Sequence, residues 1–413
     1  MAFHQQFSKL TIASLLFGVV AARAETLEQI TAEAVRNNPE LRVFEQSVAA
    51  AKGGVTTART FANPELTLAP GVKRLREGGS SDSQFHGLFE LSQLFKFPGK
   101  RALEIAIAQR NIELTELARE AFRFQVAAKV RRAFYDFVAA QKIREARREQ
   151  VGSAQNFVES ARKRAEAGYA SDFEAIKSQA ELINANKALR KAEGEMNVAR
   201  VTLNALMGRA PAGPLEVIGD LVDVAPRGTR TDFVALALAR NPGIRTQLRQ
   251  AEIAGLSLRS TRFGRRPDIA VGPSVEYTDT EQIYGLQATL ALPLWDQKKG
   301  EIQTASANQR KAIAELEKTR AEVVAEVTKA AAKLELAKQQ LTLYSPAFLD
   351  RLKAFMAQAE QGYAQNNTTL LIYLDAKRTY FDTLADYYES LGSVAEIRAE
   401  VESAIGVPLE PRP

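Results

Sequence analysis

The sequence predicts a mainly α-helical chain with strands of membrane-crossing length, built as two copies of a helix–hairpin–long-helix unit. Three observations predict it: a repeat at a constant offset, two pairs of alternating segments, and long proline-free stretches with helical apolar spacing. Asn38-Pro39-Glu40-Leu41 returns as Asn241-Pro242-Gly243-Ile244, and Asn63-Pro64-Glu65-Leu66 as Arg266-Pro267-Asp268-Ile269, in both cases 203 positions on. Leu206-Met207-Gly208 returns as Ala404-Ile405-Gly406 at an offset of 198, so the second copy has a shorter loop in between. A period near 200 residues is a duplication, far beyond the 20–50 residues of a solenoid repeat. The copies divide at about 25–220 and 221–413, and Pro226 and Gly228 mark a linker between Gly219 and Arg230.

Each copy opens with a short helix (about Leu27 to Arg36, and Phe233 to Arg240) stopped by Asn-Pro, because proline clashes with a helical residue before it. A second helix runs to about Ala62 or Phe263. Strands are then expected at about 64–72 and 84–95, and at 267–277 and 283–293. Leu66, Leu68 and Val72 alternate with polar or small residues, as do Phe85, Phe89, Leu91 and Phe95 after a Lys73–Ser83 loop. Ile269, Val271, Val275 and Tyr277 repeat this, followed by Tyr284, Leu286, Ala288 and Leu290. Period-two alternation gives a strand one apolar face, and about 9–11 residues span a membrane when tilted. Tyr277, Tyr284, Phe95, Phe97 and Trp295 stand at strand ends, where barrels carry aromatic girdles. A soluble two-hairpin sheet on helices is the competing reading of these strands.

Long helices follow, at about 99–166 and 170–207, then 298–362 and 368–405. No proline interrupts the stretch from Gly99 to Ala210. Ile313, Leu316, Val323, Val327, Ala330, Leu334, Ala337 and Leu341 form a 3/4 seam suited to coiled-coil packing. At 1.5 Å per residue the first rod is roughly 100 Å long, too long for one globular core. Gly168 and, 198 positions on, Asn366 supply the positive φ that each helix reversal needs. Gly208 and Gly406 end the returning helices.

Lys9, the apolar run Leu10–Ala22 and Ala22-Arg23-Ala24 have the anatomy of a secretory leader over 1–24, with the mature chain starting at Glu25. Export argues against nucleic acid as a partner despite a formal charge of +6 from 55 basic and 49 acidic residues. The basic run Lys142–Arg148 is also laced with glutamates at helical spacing. Cysteine is absent, so no disulfide, thiolate metal site or lipidated N-terminal cysteine is possible. Only His4 and His86 occur, which excludes the usual histidine triads and histidine-rich zinc centres, and no phosphate-binding glycine loop is present. The chain does not read as an enzyme, and no cofactor or bound metal is expected.

These residues, with Phe97-Pro98-Gly99-Lys100-Arg101, Leu292-Pro293-Leu294-Trp295 and Tyr363 through Leu374-Asp375-Ala376-Lys377-Arg378-Thr379, make a set that resembles the TolC family of outer-membrane efflux proteins. Within it the chain is similar to the CzcC-like branch that serves heavy-metal export pumps. The resemblance implies a homotrimer whose subunits each give four strands to a twelve-stranded barrel in outer-membrane lipid. It also implies an α-helical periplasmic tunnel working with a periplasmic adaptor (membrane fusion protein) and an inner-membrane RND-type pump. From the residues alone, four strands cannot close a barrel, so neighbours must join if the strands are transmembrane, but their number stays open. The resemblance places Tyr363 and Asp375 at a periplasmic gate, and Gly168, Ser171, Asn366 and Thr369 at the helix-reversal tips that meet the adaptor. The family's second acidic gate position falls on Ile372 and its gate arginine on Thr368, a departure that halves the acidic ring. Metal cations are the first expected cargo, with drugs or other organic solutes second. A periplasmic coiled-coil adaptor or scaffold without a pore is the alternative of a different class.

Overall fold

In the computed structural model, residues 24–77, 80–168, 171–221, 226 and 228–409 are described. The expected leader therefore lies outside the described residues except for Ala24, and so do 222–225 and 227 of the linker. From Glu25 the chain runs α1 (Leu27–Asn37), α2 (Pro39–Arg59), β1 (Glu65–Glu77), β2 (Ser80–Phe95), α3 (Lys100–Glu166) and α4 (Asp172–Met207). The second copy gives α5 (Arg230–Arg240), α6 (Pro242–Phe263), β3 (Ile269–Thr278), β4 (Gln282–Leu290), α7 (Lys299–Thr342), α8 (Pro346–Ala364) and α9 (Leu370–Ile405).

The Asn-Pro pairs do more than stop a helix. Asn38 and Asn241 each end one helix and cap the next, their side chains accepting from the backbone N–H of Glu40 (2.9 Å) and Gly243 (2.8 Å). Proline at the first helical position loses no hydrogen bond there. Thr26 and Thr229 start α1 and α5 with reciprocal capping boxes to Gln29 and Asp232.

The four strands form one antiparallel meander in the order β1-β2-β3-β4, so the β2–β3 pairing joins the two copies. Register puts Leu66 opposite Leu91, Leu68 opposite Phe89, Val72 opposite Phe85, Phe89 opposite Val275 and Val275 opposite Tyr284 on one face. Thr67, Glu90 and Ser274, with His86 and Thr278, share the other. The apolar face is bare: Leu66, Val72, Tyr284 and Leu286 are each more than 60% exposed. The hairpin of the first copy is longer than the apolar alternation indicated. The segment expected as a Lys73–Ser83 loop pairs out to Glu77 and Ser80, because ladder hydrogen bonds do not require an apolar face.

Gly272 sits where a Cβ would fall 1.6 Å from the Leu91 carbonyl oxygen, so only glycine lets β2 and β3 approach at that point. Helices α2, α3, α6 and α7 pack side by side in the order of the strands they adjoin. At both strand-to-rod junctions the residue before the helix is left-handed: Gly99 (φ 96°) before α3 and Lys298 (φ 53°) before α7.

The first rod, α3, is one helix of 67 residues. The second departs from expectation: the helix foreseen over 298–362 is two, α7 and α8, separated by Leu343–Ser345. Pro346 has no N–H and clashes with the preceding turn, and Ser345 caps the new helix by accepting from Phe348 N at 3.2 Å. The 3/4 seam is buried through Leu316, Val323, Val327, Ala330, Leu334 and Ala337, whereas Ile313 remains 45% exposed. Where α3 of one copy meets α9 of the other, fully buried Glu402 accepts from Arg131, from Arg398 Nε (3.1 Å) and from Leu409 N (3.1 Å). Three donors satisfy a carboxylate that would otherwise be costly to bury. Among the described residues no helix is long and apolar enough to cross a membrane.

The glycine contact carries a test. Gly272→Ala should sharply reduce the amount of folded, membrane-inserted protein, whereas Gly285→Ala, which meets only the Ser274 hydroxyl at 3.1 Å, should stay near wild type. Quantifying the heat-resistant folded band of each variant in isolated membranes checks this.

Candidate gate at the helix-reversal end

Both rods turn back at the same end, and each turn is closed by a residue at positive φ. Gly168 has φ 74° and its N–H donates to Ala165 O at 3.0 Å. Asn366 has φ 59° and donates to Tyr363 O at 3.2 Å, while Asn367 N donates to Gly362 O at 2.7 Å. Part of the first tip, 169–170, lies outside the described residues. Ser171 is the N-cap of α4, with extended backbone and no side-chain cap bond. Thr369 is the N-cap of α9 and its hydroxyl accepts from Ile372 N at 3.4 Å.

Tyr363, in the last turn of α8, is buried at the junction of four helices. Its ring stacks on Tyr373 of α9 with centroids 5.1 Å apart and planes 7° from parallel. Phe157 of α3 meets both rings edge-on, at 5.7 and 5.3 Å. The Tyr363 hydroxyl donates to Glu174 Oε2 of α4 at 2.8 Å. Arg164 of α3 lies over the ring at 4.6 Å and donates to the Tyr363 carbonyl at 2.8 Å. Burial first, and then the bond to Glu174, push the Tyr363 phenol up to about 12, so it stays a neutral donor throughout the physiological range. The second hairpin is thereby fastened to the first by the edge-on contacts of Phe157, a cation–π contact and two hydrogen bonds.

Asp375 is not part of this cluster. It follows Tyr373 by two positions, about 200° around a helix of 3.6 residues per turn, and is exposed with no hydrogen bond or ion pair among the described residues. The structure thus brings Tyr363, Asn366 and Gly168 to one end and turns Asp375 away from the Tyr363 contact. Four further residues of the contact, Arg164, Glu174, Phe157 and Tyr373, were not singled out in the sequence. The repeat offers a signal for one: Glu174 stands 198 positions before Ile372, so the carboxylate missing from the second copy is present in the first. Lys377, quoted above only as part of a motif, is also buried here. Among the described residues no three His, Asp or Glu side chains converge as a metal site.

Comparison with known proteins decides the family. The family model for outer membrane efflux proteins matches residues 30–209 and again 234–407, one match per copy. The chain belongs to the outer membrane efflux protein family. It is similar to the cobalt-zinc-cadmium resistance protein CzcC of Cupriavidus metallidurans, at 24% identity over 390 residues, covering 94% of this chain and 91% of that protein. The nickel-cobalt-cadmium resistance protein NccC of Alcaligenes xylosoxydans xylosoxydans is 24% identical over 310 residues, covering 74% of this chain and 69% of that one. Among solved structures, CusC superposes with a TM-score of 0.73 at 17% identity, covering 92% of both chains. The Campylobacter jejuni CmeC outer membrane channel gives 0.72 at 16% identity, over 93% of this chain and 86% of that one. The fold is that of these outer-membrane channels, mainly helical with a small sheet. As a family member the protein is an outer-membrane transport component and not an enzyme.

The Tyr363 geometry separates two variants. Tyr363→Phe removes only the bond to Glu174 and should weaken the tip contact by about 1 kcal/mol. Tyr363→Ala also removes the stack and should cost about 3 kcal/mol or more. Hydrogen exchange of the α8 amides should rise modestly in the first variant and steeply in the second.

Proposed function

We propose that the chain is the outer-membrane duct of a heavy-metal efflux system, conducting metal cations passively from a periplasmic adaptor and an inner-membrane RND-type pump to the exterior. The observation that carries the metal cargo is whole-length similarity to CzcC, supported by NccC, both described as resistance proteins for divalent transition metals. The working unit in this reading is a homotrimer. The amphipathic meander has unpaired edges at β1 and β4, and backbone groups on an open edge have no partner in lipid. Joining β4 of each subunit to β1 of the next in three copies gives a closed twelve-stranded barrel, with the Thr67–Glu90–Ser274 face lining the lumen.

The helix-reversal end is the periplasmic gate. Tyr363, held by Glu174 and Arg164, keeps α8 and α9 against α3 and α4, and the tips at Gly168, Ser171, Asn366 and Thr369 meet the adaptor's helical hairpin. Exposed, unpaired Asp375 lines the passage, where three copies around an axis concentrate negative potential and favour cations. With isoleucine at 372 the ring carries one carboxylate per subunit, so its preference for cations is moderate. The duct needs no metal-binding stepping stones, because selection can reside in the pump.

Deletion of the gene should lower tolerance to cobalt, zinc and cadmium while leaving tolerance to a panel of organic dyes unchanged. Metal tolerance that stays intact while the partner pump is expressed would remove the metal assignment, and lost dye tolerance would favour organic solutes. Asp375→Asn should reduce the cation-to-anion permeability ratio in planar bilayers, and an unaltered reversal potential would take Asp375 out of the passage.

A further inference from the structure

Beneath the Tyr363–Tyr373 stack lies a group that the closing contact does not need. Lys377 is one turn beyond Tyr373 on α9 and only 1% exposed. Its ammonium nitrogen has no hydrogen-bond partner among the described residues. The ring centroids of Phe157 and Tyr373 lie 5.8 and 5.6 Å from it. Two ring faces at that range repay part of the lost hydration but satisfy none of the three N–H donors. Truncating such a side chain to an apolar one would seal the same space at lower cost, so its presence weakens the packing around it.

We propose that Lys377 is a release element of the closing contact: its buried ammonium opposes the packing of α8 and α9 against α3 and α4, and regains water when they part. The inference rests on reading this end as the gate. The groups that act on the ammonium are known from each packed element. Glu181 of α4 and Glu360 of α8 draw it toward the charged form, α3 turns the Phe157 ring to it, and Tyr363 and Tyr373 remain neutral phenols, both pushed upward by burial. Burial is the largest influence and outweighs the two carboxylates, pulling the lysine from its ordinary 10.5 down to about 8.

The sign follows from linkage. A lysine whose value is depressed in the packed state favours packing fully above 10.5, and that contribution is lost as pH falls toward about 8. At neutral pH the contact therefore closes over a charged group and sits near its weakest. Between pH 7 and pH 9 the ratio of parted to packed α8 should fall about tenfold, as one proton per subunit is released from the packed form.

Hydrogen exchange of the α8 amides (346–364) in the full-length wild-type protein, corrected for the intrinsic pH dependence of exchange, reads this ratio directly. The expected result is an opening ratio about tenfold lower at pH 9 than at pH 7, with Lys377→Met opening less than wild type at pH 7 and showing no such slope. An α8 opening ratio in wild type that is flat or rises toward pH 9 overturns the proposal, as does a Lys377→Met protein that keeps the wild-type slope. If Lys377→Met does not assemble, the wild-type slope alone decides. A protein that fails to conduct in bilayers would remove the duct reading yet leave the exchange result standing, so the two failures are distinguishable.

Discussion

The architecture depends on one constraint: peptide N–H and C=O groups in hydrocarbon must be paired, and a four-stranded meander leaves two rows of them unpaired. The apolar face of this sheet is too exposed to rest in water, and its edges are too polar to rest alone in lipid. Other features of the chain follow from that tension. Two hairpins must pair with each other across β2 and β3, which sets Gly272 at the closest approach. Helices adjoining the strands must keep the strand order, which is why α2, α3, α6 and α7 lie as one layer. The left-handed residues at 99 and 298 take the chain from sheet to rod at equivalent points of each copy.

At the far end the forces are different. No lipid is involved, and what holds the two hairpins together is a small cluster of aromatic rings with a few charge-assisted bonds. Its strength resides in Tyr363, Tyr373 and Phe157, and its specificity in Glu174 and Arg164. Glu174 of the first copy, at the position equivalent to Ile372 of the second, is the acidic partner of Tyr363 at this end. Lys377 sits under the same rings and acts against them. A contact assembled from opposing terms of a few kcal/mol each is easily biased, unlike the seam of α7, which is apolar along most of its length.

Much of the fold was legible from the residues. The repeat offset, the Asn-Pro boundaries, the alternating strands and the glycine stops are local signals, and local signals survive in one dimension. The extent of the first hairpin was not, because its outer part pairs through backbone groups without apolar alternation. The break between α7 and α8 had a signal in Pro346 that the regular 3/4 spacing upstream obscured. At the candidate gate, Tyr363 and the two reversals came from resemblance and from residues able to take positive φ. Arg164, Glu174 and Phe157 did not, since they come from the other copy nearly 200 positions away and no local pattern links them to Tyr363. The exposure of Asp375 on the face opposite the stack is likewise a property of how α9 is rotated about its axis, which spacing alone does not fix.

Pro346 stands 198 positions after Arg148, which lies inside the uninterrupted α3. One hairpin of the duplicated pair thus has an unbroken shaft, while its twin has an elbow. Main-chain hydrogen bonding runs without a gap along the first, whereas the second is interrupted between Thr342 and Pro346, so the two copies differ in stiffness at the same position.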